Sequence, residues 1–194
     1  MRSLGGVASL ERSSWSTDAR AWSLAWQEVL ILLGLGALAV VLHAALDAPL
    51  KLPGHQGLVW MALLVVGRAT SRRRWAASIS SVGAAGLSSL PFWGFSDPFI
   101  WLIYLLPGLV MDLTYGLGKP FQQKAWFLAV VAGLAHAAKP LARVGISTVI
   151  GWPYGSLLFG LAVPLGYHVA FGLVGGLLGA GAVHVYRWQK QRAR

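Results

Sequence analysis

From Trp26 to Leu46 the chain runs through leucine, isoleucine, valine, alanine and glycine with a single charged residue, Glu28. About 20 predominantly apolar residues are enough for a helix to cross the hydrocarbon core of a bilayer. Five further apolar runs follow, at about Gln56 to Val66, Trp75 to Phe92, Pro98 to Leu117, Ala125 to Ile150 and Ser156 to Tyr186. They are continuously apolar rather than alternating, which is the pattern of helices and not of barrel strands. The sequence therefore predicts an all-α integral membrane protein, a compact bundle of six transmembrane helices. The second run is short and has to borrow from its flanks or lie where the bilayer thins.

Composition points the same way. Hydrophobic residues make up 56% of the 194 and charged residues 11%, against about 25% charged in soluble domains. Mean hydropathy is +0.62. Residues 1–25 read as a polar, loose cytoplasmic tail, 26–186 as the transmembrane domain, and 187–194 as a basic cytoplasmic tail. Cysteine is absent, so disulfides and thiolate chemistry are excluded.

Lysine and arginine set the expected orientation. Arg2, Arg12 and Arg20 precede the first run, and Arg68, Arg72, Arg73 and Arg74 follow the second. Lys119 and Lys124 follow the fourth, and Arg187, Lys190, Arg192 and Arg194 close the chain. The opposite turns carry only Lys51. Cytoplasmic loops retain Lys and Arg, so both termini are expected inside. The net charge of +10 is then a matter of topology and of attraction to anionic lipid headgroups, with no nucleic acid as partner.

On that topology the stretch LDAPLKLPGHQGLVWM (Leu46–Met61) is an outer corner. Pro53 and Gly54 suffice to turn the chain. His55 and Gln56 are not needed for turning, so the corner is either an exposed loop or a wall of an outward-facing site. Other outer turns gather aromatics: Phe92, Trp93, Phe95, Phe99 and Trp101 around Asp97, and Trp152 and Tyr154 in GWPYGS. Such rings anchor a protein at the membrane interface or stack on a flat ligand.

Polar residues within the apolar runs say more. His136, Lys139, Arg143 and Ser147 are spaced three, four and four apart, which places them on one helix face. Trp101, Tyr104, Gly108, Asp112 and Tyr115 form a similar stripe. Charges at depth face a protein interior or a cavity, or else snorkel to headgroups. Pro140 should kink its helix and free a carbonyl. Asp112 needs a partner or a proton, whether as a structural acid or a functional one. Gly34, Ala37, Ala77, Ser81, Gly172 and Gly176 are candidates for close helix packing or for docking a partner.

No nucleotide-binding loop, nucleophile elbow or HExxH occurs, so no catalytic residue is assigned and an enzyme is not expected. No cofactor or metal is expected either. His43, His55 and His136 form a conceivable metal set in the outer half.

Six short spans, inside termini and LPGHQGLVWMALLVVGR followed by a basic turn resemble the substrate-binding S component of an energy-coupling factor (ECF) transporter. WLIYLLPGLVMDLTYGL is similar to the fourth span of some members. The resemblance implies capture of a vitamin or related micronutrient on the outer face, with a T component and two ATPase subunits supplying the energy. S components meet the T component through small residues on the first span. Here Gly34, Gly36, Ala37 and Ala39 are small but not at AxxxA spacing. Metal-binding members use a histidine near the amino end, where this chain has Met1-Arg2-Ser3. The binding residues expected are His55, Gln56, Trp93, Trp101, Tyr104, His136, Lys139, Arg143, Trp152 and Tyr154. Two other classes stay open: a membrane-embedded enzyme or lipid-handling protein using Asp112 and the histidines, and a structural subunit without ligand.

Overall fold

The computed structural model describes residues 7–45, 52–91, 95–158 and 160–193. These fold into six α-helices and two short 3-10 turns, with no strand among the described residues. The helices are α1 (Val7–Ala45), α2 (Gly57–Thr70), α3 (Ala76–Ser88), α4 (Ile100–Leu117), α5 (Ala125–Ile150) and α6 (Ala162–Arg192). Internal contacts divide the chain into two units, residues 1–31 and 32–194.

The first unit departs from the loose tail expected. Helix begins already at Val7. Neither glycine nor proline interrupts the chain between Gly6 and Gly34, and alanine, leucine, arginine and glutamate all favour helix.

Four segments are long and apolar enough to cross a membrane: Ala25–Ala45, Ile100–Leu117, Ala125–Ile150 and Ala162–Arg192. Helices α2 and α3 have 14 and 13 residues, shorter than a spanning helix at 1.5 Å per residue. Their ends have local causes. Three consecutive arginines, Arg72 to Arg74, follow α2. Pro91 follows α3 and disfavours helical backbone at the residue before it.

The larger unit is apolar outside, and its apolar core encloses a few polar and charged side chains. Leu134, Leu141, Leu177 and Val185 are all at least half exposed. Arg68, Asp112, His136, Lys139 and His168 are buried. That arrangement suits a bundle whose surroundings are hydrocarbon and whose charged groups are kept from the lipid.

Small residues set the helix spacing. On α6, Gly172 and Gly176 face α5, where a Cβ would come within 2.8 Å of the Ala132 carbonyl oxygen and 2.7 Å of the Ala129 Cα. Gly175 and Gly179 face α2, against the carbonyls of Gly57 and Ala62. Two glycine rows thus seat α6 between two helices at backbone contact. Ala77 and Ser81 of α3 do the same against Gly108 of α4. These four candidates (Ala77, Ser81, Gly172 and Gly176) are used in packing within the chain. Gly34 is exposed with open space around it, and Ala37 is half-buried.

Helices α4 and α5 both continue through an internal proline, Pro107 and Pro140. Each ring removes the N–H that would bond the carbonyl four residues earlier. The carbonyls so released belong to Ile103 and His136.

Candidate functional site

Residues 52–56 form a tight turn. The Gly57 N–H donates to the Gly54 carbonyl at 2.8 Å, and the His55 ring Nδ1–H donates to the Leu52 carbonyl at 2.7 Å. Gly54 has φ +79°, a backbone region where a side chain is strained. It also sits against the His168 ring, which a Cβ would approach to 2.8 Å. Gly57, three residues on, lies so close to the His136 ring that no Cβ fits. Residues 46–51, Asp47 and Lys51 among them, lie outside the described residues.

Two histidines hold the corner down. His136 Nε2 donates to the Gly54 carbonyl at 3.1 Å, because a carbonyl oxygen can only accept. The His168 ring packs against that of His136, tilted by 34° with centroids 4.7 Å apart, and its Nδ1–H donates to the Pro164 carbonyl at 2.7 Å. The Nδ1 of His136 is buried without a hydrogen-bond partner.

In front of the corner lies a cavity of about 530 Å³, lined by residues of α1, the corner, the α3–α4 connection, α4, α5 and α6. That volume falls within the usual range for small-molecule sites. Lys139 and Arg143 enter it from successive turns of α5. Lys139 is 5% exposed, with Nζ 4.2 Å from the Tyr104 ring centroid and 5.6 Å from that of Trp60. Neither cation makes an ion pair among the described residues, whereas Arg68 pairs with Asp112. Arg143 Nε is buried and has no hydrogen-bond acceptor.

Among the described residues Asp97 is the one carboxylate lining the cavity, and it has other work. One of its oxygens accepts the Phe99 N–H at 2.9 Å and the Tyr154 hydroxyl at 3.2 Å. Burial and the adjoining Asp97 charge push the Tyr154 phenol up to about 12, so it remains a donor at physiological pH. Its ring lies 5.6 Å from the Arg143 guanidinium. Across the cavity, the Tyr104 hydroxyl and His43 Nδ1 are 2.8 Å apart, and Phe95 meets His43 edge-on at 5.4 Å. The chamber therefore offers two cations on one wall and aromatic rings on another, an arrangement suited to a small anion with a flat or apolar body.

Of the ten expected binding residues, His55, Gln56, Tyr104, Lys139 and Arg143 line this cavity. His136 stands behind the corner as its anchor, and Tyr154 braces Asp97 beside Arg143. Trp101 is 46% exposed on the outside of the bundle and does not line the cavity. Trp152 also lies outside it, packing edge-on against Phe99 at 6.0 Å. Both rings stand as expected of interfacial anchors. Trp93 lies outside the described residues. In the sequence, Phe95 stands out only as one of several outer aromatics and His43 only as a conceivable metal ligand; His168 is not singled out, yet all three line the wall. His168 had a signal, since it continues the Gly172, Gly176 row one turn earlier. No group of three potential metal-ligating side chains occurs among the described residues, so His43, His55 and His136 do not assemble.

Asp112 lies at the other end of the bundle. Its carboxylate accepts the N–H groups of Ala77 and Ser78 at 3.2 and 2.7 Å and the Ser78 hydroxyl at 2.7 Å. Arg68 Nε stands 3.4 Å from it, with the Asp112 side chain 0% exposed. The acid of α4 thus caps the amino end of α3, where the helix dipole favours negative charge. Arg68 also lies over the Tyr115 ring, at 4.4 Å, and donates to the Arg73 carbonyl. This cluster joins α2, α3 and α4.

No family model matches the chain, and neither a curated protein nor a solved structure shows significant similarity to it. The likeness to S components rests on the sequence features alone.

Proposed function

We propose that this chain is the substrate-capture subunit of a micronutrient uptake transporter, multi-pass in a bacterial cytoplasmic membrane, with both termini inside. Its ligand is a small anionic molecule, a vitamin or a related compound. The observation that carries this reading is the cavity itself, with Lys139 and Arg143 directed into it and no carboxylate paired to either among the described residues. A charge held inside a bundle is costly unless something compensates it, and a bound anion supplies that compensation. The positive-inside rule puts this end outside, because Arg68, Arg72 to Arg74, Lys119, Lys124 and Arg187 gather at the other.

Helices α2 and α3 join the four longer ones in crossing or partly crossing the bilayer. The chain carries no nucleotide-binding motif, so accumulation needs a T component and two ATPase subunits. The exposed, open Gly34 face of α1 is the docking surface that the family resemblance suggests. A membrane enzyme built on Asp112 is the weaker reading, since that carboxylate is enclosed and already bonded on both oxygens.

Coexpression tests the reading. The chain should copurify with a T component and ATPases, and cells should accumulate the ligand only with intact ATPase sites. Sustained accumulation by the chain alone would count against the subunit role.

A further inference from the structure

We propose a second binding site, for the phosphate headgroup of an anionic lipid, at the end of the bundle away from the first cavity. It stands independently of any ligand in that cavity. A hollow of about 480 Å³ lies between the α4–α5 connection and the end of α6, and Lys119, Lys124 and Arg187 line it together with Gln122 and Tyr115. Among the described residues no carboxylate lines it. Beyond Asp112 the sequence has eight lysines and arginines and no acidic residue, so α5, α6 and their connections cannot neutralise these cations themselves. Asp112 is already committed to Arg68 and to the amino end of α3.

The neighbouring surface points to a lipid rather than a free anion. A second hollow of about 760 Å³ shares Lys119 and Gln122 with the first and is lined by Leu113, Leu117 and Trp75, along with Arg68, Arg74 and the Asp112 that pairs with Arg68. Leu113 is 55% and Leu117 87% exposed. A cationic chamber opening onto an apolar groove fits a phosphate head joined to an acyl chain. Phe121, Trp126 and Trp188 are exposed close by in sequence, as expected where helices leave the hydrocarbon for the headgroup layer. The chamber is held open by local bonds. Gln122 Nε2 donates to the Tyr115 carbonyl at 2.9 Å, and Arg187 donates to the Ala69 carbonyl at 3.0 Å.

Native mass spectrometry of the full chain, released from micelles containing equal phosphatidylglycerol and phosphatidylcholine, tests this. Wild type should retain phosphatidylglycerol preferentially. Lys119→Gln with Lys124→Gln should weaken that retention by about thirtyfold, for two cations beside an anionic headgroup. Arg192→Gln should leave it unchanged. Millimolar inorganic phosphate should not displace the lipid. Equal retention of the two lipids by wild type would overturn the proposal, whether or not the double variant folds. So would undiminished retention by a folded double variant, or displacement by inorganic phosphate, which would mark a site for the free anion.

Discussion

The Nε2 of His136, in the middle of α5, lies 3.1 Å from the carbonyl oxygen of Gly54 in the turn before α2. This one bond joins the corner that walls the cavity to the helix that supplies its cations. His136, Lys139 and Arg143 share a face of α5, so the hydrogen bond also fixes where the corner stands relative to Lys139 and Arg143.

The first prediction concerns that corner. His136→Leu removes the donor and the ring that packs against His168 while keeping bulk. It should weaken ligand binding and lower stability by about 1–3 kcal/mol, the usual cost of an unpaired buried polar group. Gly57→Ala should be at least as harmful, because its Cβ would enter the His136 ring. Thermal unfolding of the purified variants, with and without ligand, checks both. A Gly57→Ala protein as stable as wild type would show that the corner is not clamped.

Asp112 gives a prediction of the opposite kind, in stability rather than binding. Asp112→Ala strands Arg68 and leaves the Ala77 and Ser78 N–H groups without an acceptor. Removing one partner of a buried ion pair costs about 3–5 kcal/mol. The double variant Arg68→Met, Asp112→Leu should recover part of that loss, since no charge is then left alone. Denaturation midpoints decide this, and ligand affinity in the folded fraction should stay within a fewfold of wild type. A large, specific loss of affinity in well-folded Asp112→Ala would instead return the acid to a functional role.

Orientation can be read directly, because the chain has no cysteine. Single cysteines at Ser71, after α2, and at Ser96, in the cavity wall, fall at opposite ends of the bundle. An impermeant thiol reagent added to intact cells should label the Ser96→Cys protein and spare the Ser71→Cys protein. The reverse pattern would put the cavity on the cytoplasmic side and remove the capture role.

The α5 boundaries, Ala125 and Ile150, could be read from the sequence because a basic turn precedes the apolar run and Gly151 ends it in a left-handed conformation, φ +76°. The cation face of α5 was legible for the same reason that any helix face is, its three- and four-residue spacing. What it meets was not legible. Trp101 and Trp152 have the same composition signal as Phe95, yet only Phe95 turns inward, and rotation about a helix axis is settled by neighbours that lie far along the chain. His43 is joined to Tyr104 across 61 positions. Asp112 shows the same limit, since its partners on α2 and α3 are set by how three helices meet. The helical start at Val7 was hidden by serine and charge content, which resembles a tail even where helix propensity is ample.

The capture claim is tested most directly by asking what the purified protein carries. Small molecules extracted from wild type, Lys139→Met and Arg143→Met can be compared by mass spectrometry. All three proteins must first be matched for yield and unfolding temperature. Hydrogen bonds to charged groups are worth about 1.5–3 kcal/mol, tenfold or more in affinity. The account predicts one small anionic compound enriched in wild type and reduced at least tenfold in each variant. If no anion is enriched in wild type over the folded variants, the cavity is not the site proposed, and Lys139 and Arg143 serve the bundle in some other way.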